Sequence, residues 1–457
     1  MKVLLLNPPM NYQPLGLGYL AAVLEKEGIP VKLIDLVNTP FENVESIIQK
    51  EKPQIVGISC NLTTLRWGSF KLAQIVKRVD PNIKVVMGGI HATFMYQQVL
   101  ANLPVDIIVR FEGELTFLEL VKALESGSDL KAVKGIAFKS EEGIIKTEDR
   151  PPIENLDSLP FPAYHFLKFD MYGQLKVSGI VASRGCPYNC QYCSNRKYWG
   201  RLRQRSVKNV VDELEMLYND YGVRYFSFFD NVFTANKERV IEICQEIIKR
   251  KLDVSWECST KVELVSPEML QWMKKANCLR IGYGVESGSP SVLKAINKKQ
   301  TPAQIVKAFK MTQEAGIEAI LYLMIGNPNE TDQTINETIE IMRLVKPDVM
   351  WTGLTLILPG TDMYEICKRR GFIDDEFWLS DKGDSIYTME NNIKQLKNWE
   401  WKISYAYYLQ RKRMLRLVEM TVFLRIAKNI REAMGVPIPI VDMQIQRFDH
   451  ILHQTRA

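Results

Sequence analysis

The chain reads IVASRGCPYNCQYCS from Ile180 to Ser194, an apolar run that leads directly into three closely spaced cysteines. Cys186, Cys190 and Cys193 are separated by three and then two residues, so one short loop can wrap all three thiols around a 4Fe-4S cluster. A cluster that only carries electrons normally takes four thiolates. Three thiolates leave one iron open, as in catalytic metal sites that keep a position for a substrate. We therefore predict a catalytic cluster in the loop after this strand.

Two other interpretations of the three cysteines are a partial zinc site with a distant fourth ligand and a set of unrelated core thiols. Zinc ribbons favour paired Cys-x2-Cys units, and the sequence has no second pair. Four further cysteines lack cluster spacing and are expected in the core: Cys244, Cys258, Cys278 and Cys367.

The Cys-x3-Cys-x2-Cys spacing, with the aromatic Tyr192 before the last cysteine, closely resembles the signature of the radical S-adenosylmethionine (SAM) enzymes. The resemblance implies that Cys186, Cys190 and Cys193 hold the cluster and that the amino and carboxylate groups of SAM bind its open iron. One electron from the cluster would then cleave SAM to a 5′-deoxyadenosyl radical. It also implies a reducing partner such as a flavodoxin or ferredoxin.

The composition is that of an ordinary globular protein. The 457 residues are enough for roughly two to four domains with their own cores. No apolar run approaches the ~18 residues needed to cross a bilayer. The apolar start MKVLLL stops at Asn7-Pro8-Pro9 and is too short for a signal peptide. Because the eight cysteines do not form a regular disulfide framework, we predict a cytoplasmic protein.

Residues 1–150 alternate short β-branched runs with amphipathic helical stretches, and we assign them to one α/β domain. Near-continuous apolar strands separated by helices are typical of a parallel sheet covered on both faces. We therefore predict a Rossmann-like, doubly wound parallel sheet with strands at 3–6, 31–34, 55–59, 84–87 and 106–109. Ligands on this fold bind beyond the carboxyl ends of the strands, where glycines and small polar residues cluster in this sequence.

Four segments at these strand ends resemble, in their joint order, the cobalamin-binding domain that precedes the radical domain in one large radical SAM subclass. They are Asn7-Pro8-Pro9, Pro14 to Ala21, Gly88 to Thr93 and Glu112-Gly113-Glu114. The resemblance implies that this domain contacts cobalamin through Leu15, Gly16, Ser59, Thr63, Gly88, Gly89, His91, Glu112, Gly113 and Glu114.

The Asp-x-His-x-x-Gly motif, which supplies a histidine to cobalt in many cobalamin proteins, is absent, and no histidine precedes His91. The radical SAM subclass generally leaves the lower face of cobalt without a protein ligand, so the resemblance implies the same here. His91 has a second interpretation, as a loop or helix-start histidine that contacts backbone.

Residues 151–175 form a proline-stiffened linker, after which strands and helices alternate again over residues 176–374. Six βα units predict a partial (β/α)6 barrel of the TIM type, with its site at the C-terminal ends of the strands. Residues 375–457 lose the strand pattern and are predicted to form a helical C-terminal region.

Polar residues follow the predicted barrel strands where SAM contacts fall in the family. The resemblance implies SAM contacts from Tyr192, Asp230, Lys261, Glu286, Ser287 and Gly326. Lys261 suits the methionine carboxylate as a point charge, and Glu286 can accept from the ribose hydroxyls or the amino group. Asp230 has a second interpretation, as a residue that caps or solvates a turn.

The positive charge is concentrated at the C-terminus. Residues 391–457 carry twelve Lys or Arg against five Asp or Glu, a net charge of +7, whereas the whole chain has +6. The rest of the chain is thus nearly neutral, and nucleic-acid binding is not expected. The run Arg411 to Arg416 begins a basic amphipathic helix. Such a helix could cover the barrel, bind an anionic substrate, make a peripheral membrane contact, or pack with its basic face in solvent.

Taken together, these features predict a cobalamin-dependent radical SAM enzyme that methylates an unactivated carbon of a small-molecule or lipid-like substrate. In the family, one SAM methylates cobalamin and another yields the radical. The alternative reaction is radical cyclisation, oxidation or carbon–carbon coupling on a lipid or tetrapyrrole substrate, with cobalamin in another role or absent. An alternative of another class is a cluster-bearing redox sensor without turnover. A tRNA methylthiotransferase is disfavoured because the N-terminal domain lacks the cysteine ligands of that family.

Overall fold

A computed structural model describes residues 1–10, 13–37, 39–169, 177–380 and 385–409. The first sheet within these residues has the strand order β2-β1-β3-β4-β5-β6-β7. Its strands are β1 (Val3–Asn7), β2 (Val31–Asp35), β3 (Ile55–Ser59), β4 (Lys84–Gly88), β5 (Ile107–Val109), β6 (Ile136–Ser140) and β7 (Gly143–Lys146). Its helices are α1 (Leu15–Lys26), α2 (Glu42–Glu51), α3 (Arg66–Val79), α4 (Ile90–Phe94), α5 (Tyr96–Asn102) and α6 (Glu114–Ser126).

Strand β1 shows why this sheet is doubly wound. All five of its residues are buried, and the four apolar ones alternate between two separate cores. Leu5 packs with apolar residues of α1 and α6 on one face, and Leu4 packs with those of α2 and α3 on the other. A strand covered on both faces has no polar side to present to water. Strands β1 to β5 are parallel, so the predicted Rossmann-like sheet is confirmed.

The antiparallel hairpin of β6 and β7 at the edge of this sheet was not predicted. Strand β7 is mostly exposed, so it lacks the apolar run by which the other strands were found. Exposed edge strands are short in many proteins, and the four residues of β7 fit that pattern.

The second sheet has the order β15-β14-β13-β12-β11-β8. The strands of this half are β8 (Val177–Ile180), β9 (Ser183–Arg184), β10 (Arg203–Gln204), β11 (Tyr225–Phe228), β12 (Ser255–Thr260), β13 (Cys278–Glu286), β14 (Glu318–Ile325) and β15 (Val349–Leu354). The helices are α7 (Asn195–Trp199), α8 (Val207–Asp220), α9 (Lys237–Lys249), α10 (Pro267–Lys275), α11 (Pro290–Ala295), α12 (Pro302–Glu314), α13 (Asp332–Val345), α14 (Asp362–Arg369) and α15 (Ile393–Tyr408).

All neighbouring strands of the second sheet are parallel and follow one another in chain order, which confirms the predicted partial barrel. Local sequence patterns determine where the helices between these strands begin. Helix α12, for example, begins with Pro302 after Thr301, whose side chain forms a capping box with Gln304. Because parallel strands end at one edge of the sheet, their C-terminal loops all meet there.

The segment after the barrel returns to the first domain before it becomes helical. Trp378 and Tyr387 belong to one of the two cores of the first sheet, and Arg66 of α3 donates to the carbonyl of Trp378 at 2.8 Å. The predicted C-terminal helical region therefore becomes regular only at α15. This helix packs on the barrel, where the indole N–H of Trp399 donates to Asp332 at 2.7 Å.

Two predictions for the C-terminal region fall outside the described residues. These are the basic helix that starts at Arg411 and its contact with a membrane surface. Among the described residues, none of the helices is long and apolar enough to cross a bilayer. The predicted domain boundaries at residues 150, 175 and 374 stay predictions.

Candidate active site

The cysteine loop leaves β9 and is fixed by its backbone. Gly185 has a φ of +89°, and a side chain there would collide with the carbonyl of Arg201, so only glycine fits before the first cysteine. Further along, the N–H of Gln191 donates to the carbonyl of Ile296 at 3.0 Å, and its carbonyl accepts from the N–H of Met363 at 2.9 Å. The loop is thus held between the end of α11 and the start of α14.

The three thiols of this loop fit a cluster with one open iron. Cys186, Cys190 and Cys193 are half-buried and form no disulfide. Burial raises the pKa of Cys186 and raises the pKa of Cys193 to about 11, whereas Lys261 and Lys298 lower the pKa of Cys186. These cations favour the thiolate that a metal requires. Among the described residues, no three His, Cys, Asp or Glu side chains lie close enough together to bind one metal ion. A four-iron cluster does not require this, because each thiolate binds a different iron.

Tyr192 and Glu286, both predicted SAM contacts, meet beside the cysteine loop around a third residue, Lys298. The Lys298 ammonium donates to Glu286 Oε1 at 2.8 Å, and the Tyr192 hydroxyl donates to the same oxygen at 2.8 Å. Burial opposes the charge of Lys298, but Glu286 and the cysteines outweigh it, so the pKa of Lys298 lies above its ordinary value. The network is therefore a buried ion pair with a bound phenol.

The backbone of β13 makes room for this ion pair. The pairing of β13 with β14 shifts register between Gly284 and Glu286, and Glu286 has a φ of +66°. A Cβ on Gly284 would lie 2.7 Å from Glu286 Oε1 and 2.9 Å from Lys298 Nζ. The bulge turns Glu286 towards the cysteine loop, and the glycine leaves space for its partner.

Lys298 was missed by the sequence analysis. It follows α11 within Asn297-Lys298-Lys299, a run that looks like an ordinary solvated turn. Its burial depends on Glu286 and Tyr192, which lie far away in the chain, so no local pattern marks it.

Lys261 joins the same group of buried side chains. Its ammonium pairs with Glu263, donates to the carbonyl of Lys298 at 3.1 Å and lies 3.6 Å from the centroid of the Tyr188 ring. Since Tyr188 is part of the cysteine loop, Lys261 places a cation against that loop. Its predicted contact with the SAM carboxylate is compatible with this position.

Asp230 forms hydrogen bonds with the segment that leads into the cysteine loop. Its carboxylate accepts from the N–H of Ala182 at 2.9 Å and from the Ser183 hydroxyl, and burial raises its pKa. Both oxygens are thus used to tie the end of β11 to the segment that enters the loop. The side chain fits the second interpretation of Asp230, as a residue that satisfies a turn, better than it fits a SAM contact.

Ser287 and Gly326 lie at the strand ends but face other elements. The Ser287 hydroxyl lies 3.2 Å from the hydroxyl of Thr338 on α13. A Cβ on Gly326 would lie 2.8 Å from Leu396 of α15, and its N–H donates to Glu330. Burial raises the pKa of Glu330 to about 7. SAM contacts from Ser287 and Gly326 stay predictions.

A cleft between the two domains encloses about 1500 Å³ of space, part of it open to solvent. Its walls come from both domains. Eight of the ten residues predicted to contact cobalamin line it, namely Leu15, Gly16, Ser59, Gly88, Gly89, Glu112, Gly113 and Glu114. The second domain contributes, among others, Arg184, Asn195, Tyr198 and Trp199.

The walls of this cleft fit a large, flat, partly apolar ligand. Gly16 lines it and has no atom within 4 Å of the position of a Cβ, so the space beside its backbone is open. Apolar side chains such as Leu20 and Phe117 form much of the remaining wall, and no histidine lines the cleft among the described residues. A corrin bound here would find no imidazole for its cobalt, as the resemblance implied.

The other two predicted cobalamin contacts, Thr63 and His91, lie outside the walls of the cleft. His91 is fully buried, with Nδ1 3.2 Å from the Thr63 hydroxyl. Burial lowers the pKa of His91 to about 3, with a smaller effect from Arg66, so the ring is neutral and packs against Phe70 and Trp378. The side chain thus lies in the core, and direct contacts of Thr63 and His91 with cobalamin stay predictions.

A buried ion-pair cluster joins the cleft to the cysteine loop. Arg184 donates to Glu112 at 3.0 Å and to Glu114 at 2.6 Å, and Arg203 donates to Glu112 at 2.8 Å. All four side chains are at most 7% exposed. Arg184 lies two residues before Cys186, whereas the carboxylates lie at the start of α6, so the cluster connects the two domains. The sequence predicted a cobalamin role for Glu112 and Glu114 but missed their arginine partners.

Comparison with known proteins finds a different family model in each half of the chain. The model of the radical SAM superfamily matches residues 180–342, and that of the B12 binding domain matches residues 1–121. An uncharacterized methyltransferase of Pyrococcus horikoshii, PH0819, is 35% identical over 419 residues, which cover 87% of this chain and 89% of that protein. The anaerobic magnesium-protoporphyrin IX monomethyl ester cyclase of Rubrivivax gelatinosus is 34% identical over 78% of this chain and 66% of the cyclase.

Two solved structures share the fold. The radical SAM methyltransferase TsrM of Kitasatospora setae has a TM-score of 0.71 at 20% identity, over 80% of this chain and 76% of that one. The cobalamin-dependent radical enzyme OxsB has a TM-score of 0.73 at 17% identity, over 99% of this chain and 71% of that one. The chain belongs to the cobalamin-binding radical SAM enzymes. It is a radical SAM enzyme whose cofactors are a 4Fe-4S cluster, SAM and cobalamin.

Proposed function

We propose that the protein methylates an unactivated carbon of a small-molecule substrate. The observation that carries this proposal is the wall shared by the two cofactor sites. Arg184 and Asn195, on either side of the cysteine loop, both line the cleft. A methyl carrier in the cleft and a radical source at the cluster would thus face the same space. The relative from Pyrococcus horikoshii, which matches most of this chain, is named as a methyltransferase.

The residues of this chain divide into three groups for this reaction. Cys186, Cys190 and Cys193 hold the cluster. Lys261, Glu286 and Lys298, with Tyr192, bind and orient the charged ends of SAM beside it. The glycines and apolar side chains of the cleft would hold cobalamin. When bound, cobalamin supplies a metal centre that carries a methyl group.

The stoichiometry follows from this division. One SAM supplies the methyl group and leaves as S-adenosylhomocysteine. A second SAM takes one electron from the cluster and a hydrogen atom from the substrate, and leaves as methionine and 5′-deoxyadenosine. A second electron is needed when the methyl group, which leaves SAM as a cation equivalent, joins the substrate radical, so each turnover consumes two electrons. We propose that a flavodoxin- or ferredoxin-like protein supplies the electrons and that the reaction takes place in the cytoplasm.

The test is to supply the reduced, cofactor-loaded enzyme with cell extract and SAM carrying a trideuterated methyl group. We expect a compound that gains one labelled methyl, together with S-adenosylhomocysteine and 5′-deoxyadenosine in equal amounts. A substrate that disappears without gaining the label would contradict methylation.

The second candidate function is radical cyclisation, oxidation or carbon–carbon coupling. It is favoured by the 34% identity to the magnesium-protoporphyrin ester cyclase of Rubrivivax gelatinosus, of which the chain covers 66%. In that case the same incubation would produce 5′-deoxyadenosine and a product that has lost hydrogen, without S-adenosylhomocysteine. The ratio of the two adenosine products therefore distinguishes the two functions.

A further inference from the structure

A second cavity lies inside the partial barrel, next to the cofactor cleft. It encloses about 620 Å³ of space, part of it open to solvent. Its walls come from β11, β12 and β14 and comprise Ser227, Phe228, Phe229, Asp230, Glu257, Cys258, Ser259, Ile320 and Tyr322. Of these residues, only Asp230 is among the predicted SAM contacts, and none is a predicted cobalamin contact.

Phe229 connects this cavity to the cleft. Its ring lines both, and the side chain is 44% exposed although it lies at the end of a central strand. A ligand in the barrel cavity and one in the cleft would therefore both lie against Phe229. This adjacency is what a carbon that receives a methyl group from the cleft requires.

At the level of Ser259 the inner surface of the barrel is open because β13 has a glycine there. On β12 the side chains alternate, with Trp256, Cys258 and Thr260 buried and the intervening ones partly exposed towards the interior. At the level of Ser259, the neighbouring β13 has Gly282, where a Cβ would collide with the Tyr322 ring. The glycine lets Tyr322 cross from β14, so that its hydroxyl and that of Ser259 both lie close to Gly282.

Glu257 determines the chemistry of this cavity. Its carboxylate accepts from the Tyr225 hydroxyl at 2.6 Å and from the Ser227 hydroxyl at 3.1 Å. An ionised carboxylate has about four acceptor positions, so about two are left for a ligand. Asp230 also accepts two hydrogen bonds, but it is buried, whereas Glu257 is partly exposed and its free acceptor positions can be reached.

No cation lines the cavity among the described residues. Arg280, which is on β13 and lies near Glu257, is paired with Glu318 at 2.7 Å. A carboxylate or phosphate in the cavity would face Glu257 without a compensating charge. A wholly apolar ligand would remove water from Glu257, Ser227 and Tyr322 without replacing its hydrogen bonds, which is also unfavourable.

From this geometry we infer that the barrel cavity binds the substrate and selects a small polar one, neutral or cationic, through a hydroxyl, amide or ammonium group that donates to Glu257. The inference rests on the proposed function, since it identifies the substrate class of that reaction. It differs from the expectation of a lipid or tetrapyrrole, because such substrates are apolar or carry carboxylates.

The first test uses charge-sorted extract. Cell extract is separated into anionic, neutral polar, cationic and lipid fractions, and each is incubated with the reduced holoenzyme and methyl-labelled SAM. We expect a labelled product in the neutral polar or cationic fraction. A labelled product confined to the anionic or lipid fraction would overturn the inference while leaving the methylation intact. A polar substrate consumed without label would support the cavity and overturn the methylation. If no fraction yields any converted compound, both are wrong.

The second test measures the KM of the compound found in this way. Glu257→Gln removes the charge but keeps the shape, and Tyr322→Phe removes one hydroxyl. We expect Glu257→Gln to raise the KM roughly tenfold or more, because a hydrogen bond to a charged group is lost, and Tyr322→Phe to raise it less. Cluster and cobalamin content, measured by absorption and electron paramagnetic resonance, show whether each variant is folded. The matched control is Glu242→Gln, an exposed glutamate on α9. Unchanged KM values in both cavity variants would overturn the inference.

Discussion

At the scale of single residues, the three cysteines make the strongest prediction. We expect Cys186→Ala, Cys190→Ala and Cys193→Ala each to abolish the formation of 5′-deoxyadenosine from SAM under dithionite, because each removes a thiolate ligand of the cluster. The matched control is Cys244→Ala, which changes a fully buried thiol on α9. Full turnover in any of the three loop variants would mean that the cluster is held elsewhere.

The buried ion pair of Glu286 and Lys298 gives a second prediction at this scale. Lys261→Ala and Glu286→Ala should each weaken SAM binding roughly ten- to a hundredfold, because loss of a charged hydrogen bond costs about 1.5–3 kcal/mol. Lys298→Met should have a similar effect, since it leaves Glu286 buried without its cation. Calorimetry on the cluster-loaded enzyme measures the affinity.

The same pair can be tested for interdependence. If Glu286 and Lys298 act together, the double variant should bind SAM no more weakly than the worse single variant. Lys299→Met, at the exposed neighbouring position, serves as control. Circular dichroism shows whether each variant is folded. If folded Lys261→Ala, Glu286→Ala and Lys298→Met all bind SAM with wild-type affinity, these residues have a structural role only.

At the scale of elements, the small hairpin of β9 and β10 carries both arginines of the interdomain cluster. Arg184→Met would leave Glu114 buried without its cation. Removing one member of a buried ion pair costs about 3–5 kcal/mol, so we expect a lower free energy of unfolding. Adding Glu114→Gln should recover part of the loss, whereas Glu112 is left unchanged because it also pairs with Arg203. The urea midpoint of the loaded protein measures both changes.

The hairpin also predicts coupling between the two cofactor sites. Because Arg184 links the cleft to the cysteine loop, we expect cobalamin in the cleft to change the affinity for SAM, and SAM to change the affinity for cobalamin by the same factor. In Arg184→Met this factor should approach one. Calorimetry with and without cobalamin measures this factor. If it is the same in the variant and the wild type, the ion-pair cluster stabilises the fold but does not couple the two cofactor sites.

The sequence predicts a strand or helix well where the residues of that element alone show the typical pattern. The apolar runs of β1 and β3 and the capping residues of α12 are examples. It fails where the signal lies in another part of the chain. The exposed β7, the bulge that turns Glu286 and the burial of Lys298 all depend on neighbours far away in sequence. For the same reason, the family resemblance could place Glu112 and Glu114 at a strand end but could not show that arginines hold them.

At the scale of the whole molecule, the cleft between the domains predicts how cobalamin binds. No histidine lines it among the described residues, so we expect a base-off visible spectrum without an imidazole from the protein. The fully buried His91 packs in the core, and His91→Leu should therefore leave that spectrum unchanged. A spectrum that changes with His91 would contradict the placement of this residue outside the cleft.

Gly16 provides the sharpest test of the cleft as a binding site. It lies in the first turn of α1 and faces open space, so Gly16→Leu should project a side chain into the volume that cobalamin would occupy. Overpacking of this kind typically costs about 1–3 kcal/mol, which corresponds to roughly five- to over a hundredfold weaker binding. Glycine within a helix is less favourable than leucine, so the variant should not be less stable. Lys26→Leu, at an exposed position of the same helix, is the control. If Gly16→Leu binds cobalamin as tightly as this control in an absorption titration, cobalamin does not bind in this cleft.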